Sequence, residues 1–188
     1  MHARIVSTTL LLVLPFTVSA ALAEGGRDGR LTDDIVRAVG THPQLTIFDD
    51  VKAQVQDGVV TLTGKVTADY KRQDVGRIVG RMEGVRQLRN QIGVLPASPF
   101  DDELRYRASR AIYTNPAFWS YASMARPPIH VIVENGHVTL TGVVASDGER
   151  ALARSLATGL GEVSVTSELR TEAVPAGSGS HRASVNPR

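Results

Sequence analysis

Val55-Gln-Asp-Gly-Val-Val-Thr-Leu-Thr-Gly-Lys-Val66 recurs as Val133-Glu-Asn-Gly-His-Val-Thr-Leu-Thr-Gly-Val-Val144, with eight of the twelve positions identical. Each stretch has the outline of a hairpin. Asp57-Gly58 and Asn135-Gly136 suit two-residue turns that require positive φ. Ahead of each turn apolar residues alternate: Val51, Ala53, Val55 in one copy, Ile129, Val131, Val133 in the other. After the first turn, Val60, Leu62 and Val66 share one face of a return strand, with Thr61 and Thr63 on the other. Gly64 and Gly142 stand near the ends of the return strands, where a bulge or a close backbone approach is expected.

Downstream the match continues without a gap. Asp69 aligns with Asp147, Arg72 with Arg150, Ile78 with Leu156, Met82 with Leu160 and Val85 with Val163. Asp69 to about Glu83 reads as a helix with the stripe Val75, Ile78, Val79 and Met82, answered by Ala153, Leu156, Ala157 and Leu160. A last strand is expected from Arg86 to Val94, with Leu88, Ile92 and Val94 alternating; Val163, Val165 and Leu169 are its counterparts. Upstream, Leu31 and Thr41-His42-Pro43 echo Leu104 and Thr114-Asn115-Pro116, and the second copy carries five extra residues between Pro116 and Ile129. A first helix is expected in each copy. Thr32 would be its N-cap in the first, and Asp101 and Asp102 would do the capping in the second, where Leu104, Ala108, Ala111 and Ile112 fall on one side.

The order helix, strand, strand, helix, strand predicts an α+β chain of two tandem small domains, each with two helices packed on a three-stranded mixed sheet. The expected divisions are a signal peptide over 1–23, a flexible lead-in over 24–30, a first domain over 31–95, a linker over 96–100, a second domain over 101–171 and a disordered tail over 172–188. A unit of this size buries only about 60% of its unfolded surface, so the two are expected to touch.

Composition narrows the function. The chain has 188 residues, 42% hydrophobic and 21% charged, with a net charge of +2, so wrapping a polyanion is disfavoured on bulk charge and a surface role needs a local patch. With no cysteine, disulfides, thiolate zinc sites and cysteine nucleophiles are excluded. Arg4, the apolar run from Ile5 to Leu14 and Ala21-Leu22-Ala23 read as a cleavable export signal leaving Glu24 first, with an uncleaved anchor as the alternative. The run is shorter than the ~20 residues that cross a bilayer comfortably.

No catalytic, cofactor or metal constellation emerges, and the chain is not expected to be an enzyme. His42, His130 and His137 lack metal-ligand spacing, although His130 and His137 flank the second hairpin. Two patches invite a binding role. Lys71, Arg72, Arg77, Arg81, Arg86 and Arg89 crowd the second helix and last strand of the first copy, with Gly76 and Gly80 expected on the outer side of that helix. Such a surface suits an anionic bilayer; the plain alternative is a solvated helix face with intrahelical ion pairs. The other patch is the insertion, where Phe118, Trp119 and Tyr121 form the densest aromatic cluster. It reads either as an anchor at a membrane interface or as a plug between the domains. Nucleic acid is disfavoured, because no aromatics interleave the basic residues.

The pattern apolar-x-(Asp/Asn)-Gly-x-Val-Thr-Leu-Thr-Gly, an amphipathic helix, and Gly84-Val85 before the last strand resembles the BON domain, twice, over about residues 31–171. In the second copy Glu162-Val163 replaces Gly-Val, with Gly161 one place early. A signal peptide followed by two such domains resembles the dual-BON periplasmic proteins of the OsmY type. The resemblance implies a periplasmic envelope protein without catalytic residues, associated with phospholipid or membrane binding, envelope integrity and osmotic stress, and with chaperone-like binding of envelope proteins as the alternative.

Overall fold

The computed structural model describes residues 19–172, and side chains from residue 26 onward. Most of the expected export signal and nearly all of the expected tail lie outside the described residues. In chain order the elements are α1 (Ser19–Gly40), β1 (Asp50–Gln56), β2 (Val59–Val66), α2 (Asp69–Val79), β3 (Gln87–Asn90), β4 (Gly93–Val94), α3 (Pro99–Tyr113), a 3-10 turn (Pro116–Phe118), the short α4 (Trp119–Ala122), β5 (Ile129–Glu134), β6 (His137–Val144), α5 (Asp147–Leu156), β7 (Ser164–Ser167) and β8 (Arg170–Thr171). The repeat is therefore a structural one. Thr61 and Leu62 lie in β2 where Thr139 and Leu140 lie in β6.

Each hairpin is antiparallel, with Ala53 opposite Leu62 and Val131 opposite Leu140. Asp57 and Asn135 both take positive φ, as the tight turns demand. The last strand is interrupted in each copy: β3 and β4 both run parallel to β2, and β7 and β8 both run parallel to β6. Gly64 and Gly142 allow the hairpin strands to pass at close range. A Cβ on Gly64 would sit 2.1 Å from the Asp50 carbonyl oxygen, and one on Gly142 would sit 1.9 Å from that of Pro128.

The helices cover one face of each sheet, and the cores follow the alternation. Val60, Leu62 and Val66 meet Ile35, Val75 and Val79 in domain one; Val138, Leu140 and Val144 meet Leu104, Ala108 and Ala153 in domain two. Each fully buried Val or Leu contributes about 1.5–3 kcal/mol.

Both first helices depart from the expected caps. α1 runs through Glu24–Arg30, the expected flexible lead-in, so Thr32 lies mid-helix and its hydroxyl donates back to the Asp28 carbonyl at 2.7 Å. α3 begins inside the expected linker: Ser98 is its N-cap, accepting from the Asp101 N–H, and Pro99 follows in the first turn. This frees the acids for a different task. The Asp101 carboxylate, buried, accepts from the Asn135 and Gly136 N–H groups at 2.9 and 2.8 Å. Asp28 does the same for Asp57 and Gly58 at 2.6 and 3.0 Å. The same helix-to-turn clamp thus appears in both copies. At the altered Glu162-Val163 step, Gly161 takes positive φ and the Glu162 carboxylate accepts from the Gly159 and Leu160 N–H groups.

Candidate functional site

The six basic residues of the first copy do not form one surface. Lys71 is only 5% exposed. Its ammonium donates to Asp49 Oδ2 at 2.7 Å and to Thr67 Oγ1 at 2.8 Å. Asp49 also accepts from the N–H and hydroxyl groups of both Thr46 and Thr67. Burial by itself would raise the Asp49 carboxyl pKa; the Lys71 ammonium and the Thr67 and Thr46 donors outweigh it and hold the group below its ordinary value. Lys71 is therefore part of a buried structural node, not a surface cation. Arg72 pairs with Asp69 at 2.5 Å and Arg77 with Asp74 at 2.8 Å, each along α2.

Arg81, Arg86 and Arg89 are exposed, and no ion pair engages them among the described residues. Arg81 lies just past α2, Arg86 beside the Gly58 turn and Arg89 on β3, where it shares a shallow pocket with Gln54, Gln56 and Thr61. Gly76 and Gly80 do not open the helix to a partner. Gly76 turns toward the Asn90 side chain, which donates to the Arg72 carbonyl, and Gly80 turns toward Leu88. The glycines let α2 approach the last strand.

The aromatic insertion divides in three. Phe118 is fully buried in the core of domain two, so it is neither a surface anchor nor a plug between domains. Tyr121 is half-buried; its hydroxyl donates to Glu149 Oε2 at 2.7 Å and accepts from the Ala145 N–H at 2.9 Å. Trp119 is 61% exposed, held by a bond from its indole N–H to the Thr114 carbonyl.

The bridging residue comes instead from the first domain. Phe48 packs on the core of domain two, and the Ile47 carbonyl accepts from the Val131 N–H at 2.7 Å. Nδ1 of His130 lies 2.6 Å from the Asp49 carbonyl. A carbonyl can only accept, so Nδ1 carries the proton. The outer faces of the two sheets add rim pairs, Lys65 with Glu134 at 3.1 Å and Lys52 with Glu168 at 3.3 Å; exposed pairs of this kind contribute little each. No pattern in the sequence singled out Ile47 and Phe48, because the short turn that holds them has neither strand nor helix periodicity.

The histidines do not converge. His130 stands opposite Thr141 and His137 opposite Glu134, at different levels of the hairpin, and Nδ1 of His137 lies 2.8 Å from Ser164 Oγ. Nδ1 of His42 accepts from the Gln44 N–H. Among the described residues no group of histidines and acids is arranged to hold a metal, and no helix is long and apolar enough to cross a membrane.

Two equivalent α+β units, clamped through Phe48 and His130, define a tandem module that presents edges and faces. The BON domain family matches residues 27–96 and 120–173, and the chain belongs to it. It is not a family of enzymes, and it is known for phospholipid-binding or envelope-related roles. Comparison with curated proteins gives no match. Among solved structures, the chain is similar to the C-terminal domain of CdsD, a structural protein of the Type III secretion system of Chlamydia trachomatis, with TM-score 0.32 and 13% identity over 76% of this chain and 65% of that one. It thus spans just under two thirds of that structure's length. A second CdsD structure gives TM-score 0.29 and 15% identity over 76% of this chain and 92% of that one.

Proposed function

We propose that the chain is a non-enzymatic periplasmic protein that docks on anionic phospholipid during envelope maintenance or osmotic stress, in the manner of the dual-BON proteins of the OsmY type. The observation that carries this reading is the rim of Arg81, Arg86 and Arg89, exposed and without ion pairs among the described residues. A basic residue near an anionic bilayer contributes about 1 kcal/mol, so three give a weak, reversible attachment. Trp119 supplies an exposed amphipathic ring on the second domain. Export follows from the leader over 1–23, with Glu24 as the first residue after cleavage; N-terminal sequencing of the periplasmic fraction checks it.

The test is co-sedimentation with vesicles containing phosphatidylglycerol or cardiolipin, against phosphatidylcholine, across a salt series. Binding that weakens with salt and is lost in the triple variant R81E, R86E and R89E is the expected result. Binding indifferent to both would contradict the reading. One separate observation, the open edge of β1, favours the protein-binding reading as a second activity.

A further inference from the structure

In each hairpin the two-residue turn makes its flanking residues a hydrogen-bonded pair, and bonded pairs then alternate along the ladder. The main-chain groups of Val51, Ala53 and Val55 therefore point away from β2, and those of Ile129, Val131 and Val133 point away from β6. In domain two each of these residues meets a partner. The Tyr113 hydroxyl donates to the Ile129 carbonyl at 2.6 Å and accepts from its N–H at 3.1 Å. Ile47 takes the Val131 N–H, and Arg105 Nη2 donates to the Val133 carbonyl at 2.7 Å.

Domain one has no such caps. The alignment of Leu31 with Leu104 places Gly40 where Tyr113 stands and Thr32 where Arg105 stands. Among the described residues, no bond outside the ladder reaches Val51, Ala53 or Val55. Beside this bare edge lies a groove of about 410 Å³. Ile35, Val36 and Val39 of α1 form one wall, Val51 and Ala53 the other, and Arg126 and Pro127 of the insertion close one end. Val36 is 60% exposed there, and Val51 and Ala53 are half-buried, whereas Ile129 and Val131 at the matching positions are fully buried.

We infer that the β1 edge accepts an extended polypeptide segment of another protein, apolar at alternate residues and bearing a carboxylate at the end that meets Arg126. The chain itself shows the chemistry that closes such an edge: on β5 it is the main chain of Ile47, with Phe48 entering the core beside it. The groove is continuous with that interface, since Ile47, Asp49, Pro128 and His130 also line it. Its acids are already engaged, Asp49 by Lys71 and Asp50 by Lys52, while Arg126 has no ion pair among the described residues, only a 3.5 Å bond to the His42 carbonyl. A lipid chain would fill the groove but leave the edge N–H and C=O groups unbonded; a strand satisfies both. This site is distinct from the lipid-docking residues, because none of Arg81, Arg86 and Arg89 lines the groove, and Arg89 lies on β3, two strands from the β1 edge.

The test uses the fluorescein-labelled peptide Thr-Val-Thr-Val-Thr-Val-Thr-Asp with the whole protein. Two changes obstruct the edge: Ala53→Pro, which removes an edge N–H without breaking a ladder bond, and the pair Thr32→Arg with Gly40→Tyr, which transplants the two side-chain caps of domain two onto the Val55 and Val51 positions. Saturable binding, weakened about tenfold or more by either change, is expected. Ending the peptide in Lys is expected to weaken binding as well, and Arg126→Glu to reverse that preference. Vesicle binding stays unchanged in all these variants. Should Ala53→Pro fail to fold, the pair at positions 32 and 40 decides, since open space surrounds Gly40. Peptide binding that survives the transplanted caps, or amide shifts confined to β3 or β5, would overturn the inference. So would dimerisation of the unliganded protein abolished by Ala53→Pro, which would identify a second copy as the occupant.

Discussion

The two hairpins share most of their residues and all of their topology, yet one sheet edge is closed and the other is open. Gly64 and Gly142 clear the same carbonyl, and Asp28 and Asp101 clamp the same turn. The difference lies in what surrounds this frame. Tyr113, Arg105 and Ile47 close β5, and Phe118 fills the core beneath it, while the matching flank of β1 is a groove. A duplicated fold can therefore divide its labour: domain two completes itself with an insertion and a loop borrowed from its neighbour, and domain one keeps an edge in reserve.

Even the polar node beneath the hairpins differs. In domain one Asp49 precedes β1 and Lys71 lies on α2; in domain two the acid is Glu149 on α5, and Tyr121 and the Ala145 N–H are its partners. Removing Asp49 strands the buried Lys71 ammonium, so Asp49→Ala is expected to destabilise domain one by about 3–5 kcal/mol in urea denaturation. Phe118→Ala should do comparable damage to domain two, about 3–5 kcal/mol, while Trp119→Ala stays within about 0.5 kcal/mol. Equal effects at 118 and 119 would break the distinction drawn within the insertion.

The turn clamps sharpen the comparison at a smaller scale. Asp101→Ala removes two charge-assisted bonds from a buried site and should destabilise by about 2–3 kcal/mol; Asp28→Ala, more exposed, by about 1 kcal/mol. Acid should weaken domain one through its buried node. Because the Asp49 pKa is depressed on folding, its contribution is present above the unfolded carboxyl value of about 4 and is lost as pH falls through the lower folded value. Fluorescence or NMR melts below pH 4 should show that loss, and Asp49→Asn should remove it.

Much of this was legible in the sequence. Alternation and the Asp-Gly and Asn-Gly turns located both hairpins, and the repeat located the helices, because these signals are local. Within the basic patch, a list of cations does not show which lysine is buried: Lys71 is held by an acid 22 residues upstream. Thr32 and the acids of α3 were misread because capping chemistry is short-range, whereas Asp28 and Asp101 bond turns 29 to 35 residues away. Phe48 and Ile47 act between domains, where periodicity carries no information.

Amide hydrogen exchange measured residue by residue tests the central contrast most directly. The Ile129 and Val131 amides, bonded by Tyr113 and Ile47, are expected to exchange at least about tenfold more slowly than those of Val51 and Ala53 under native conditions. Equal protection at the two edges would contradict the account.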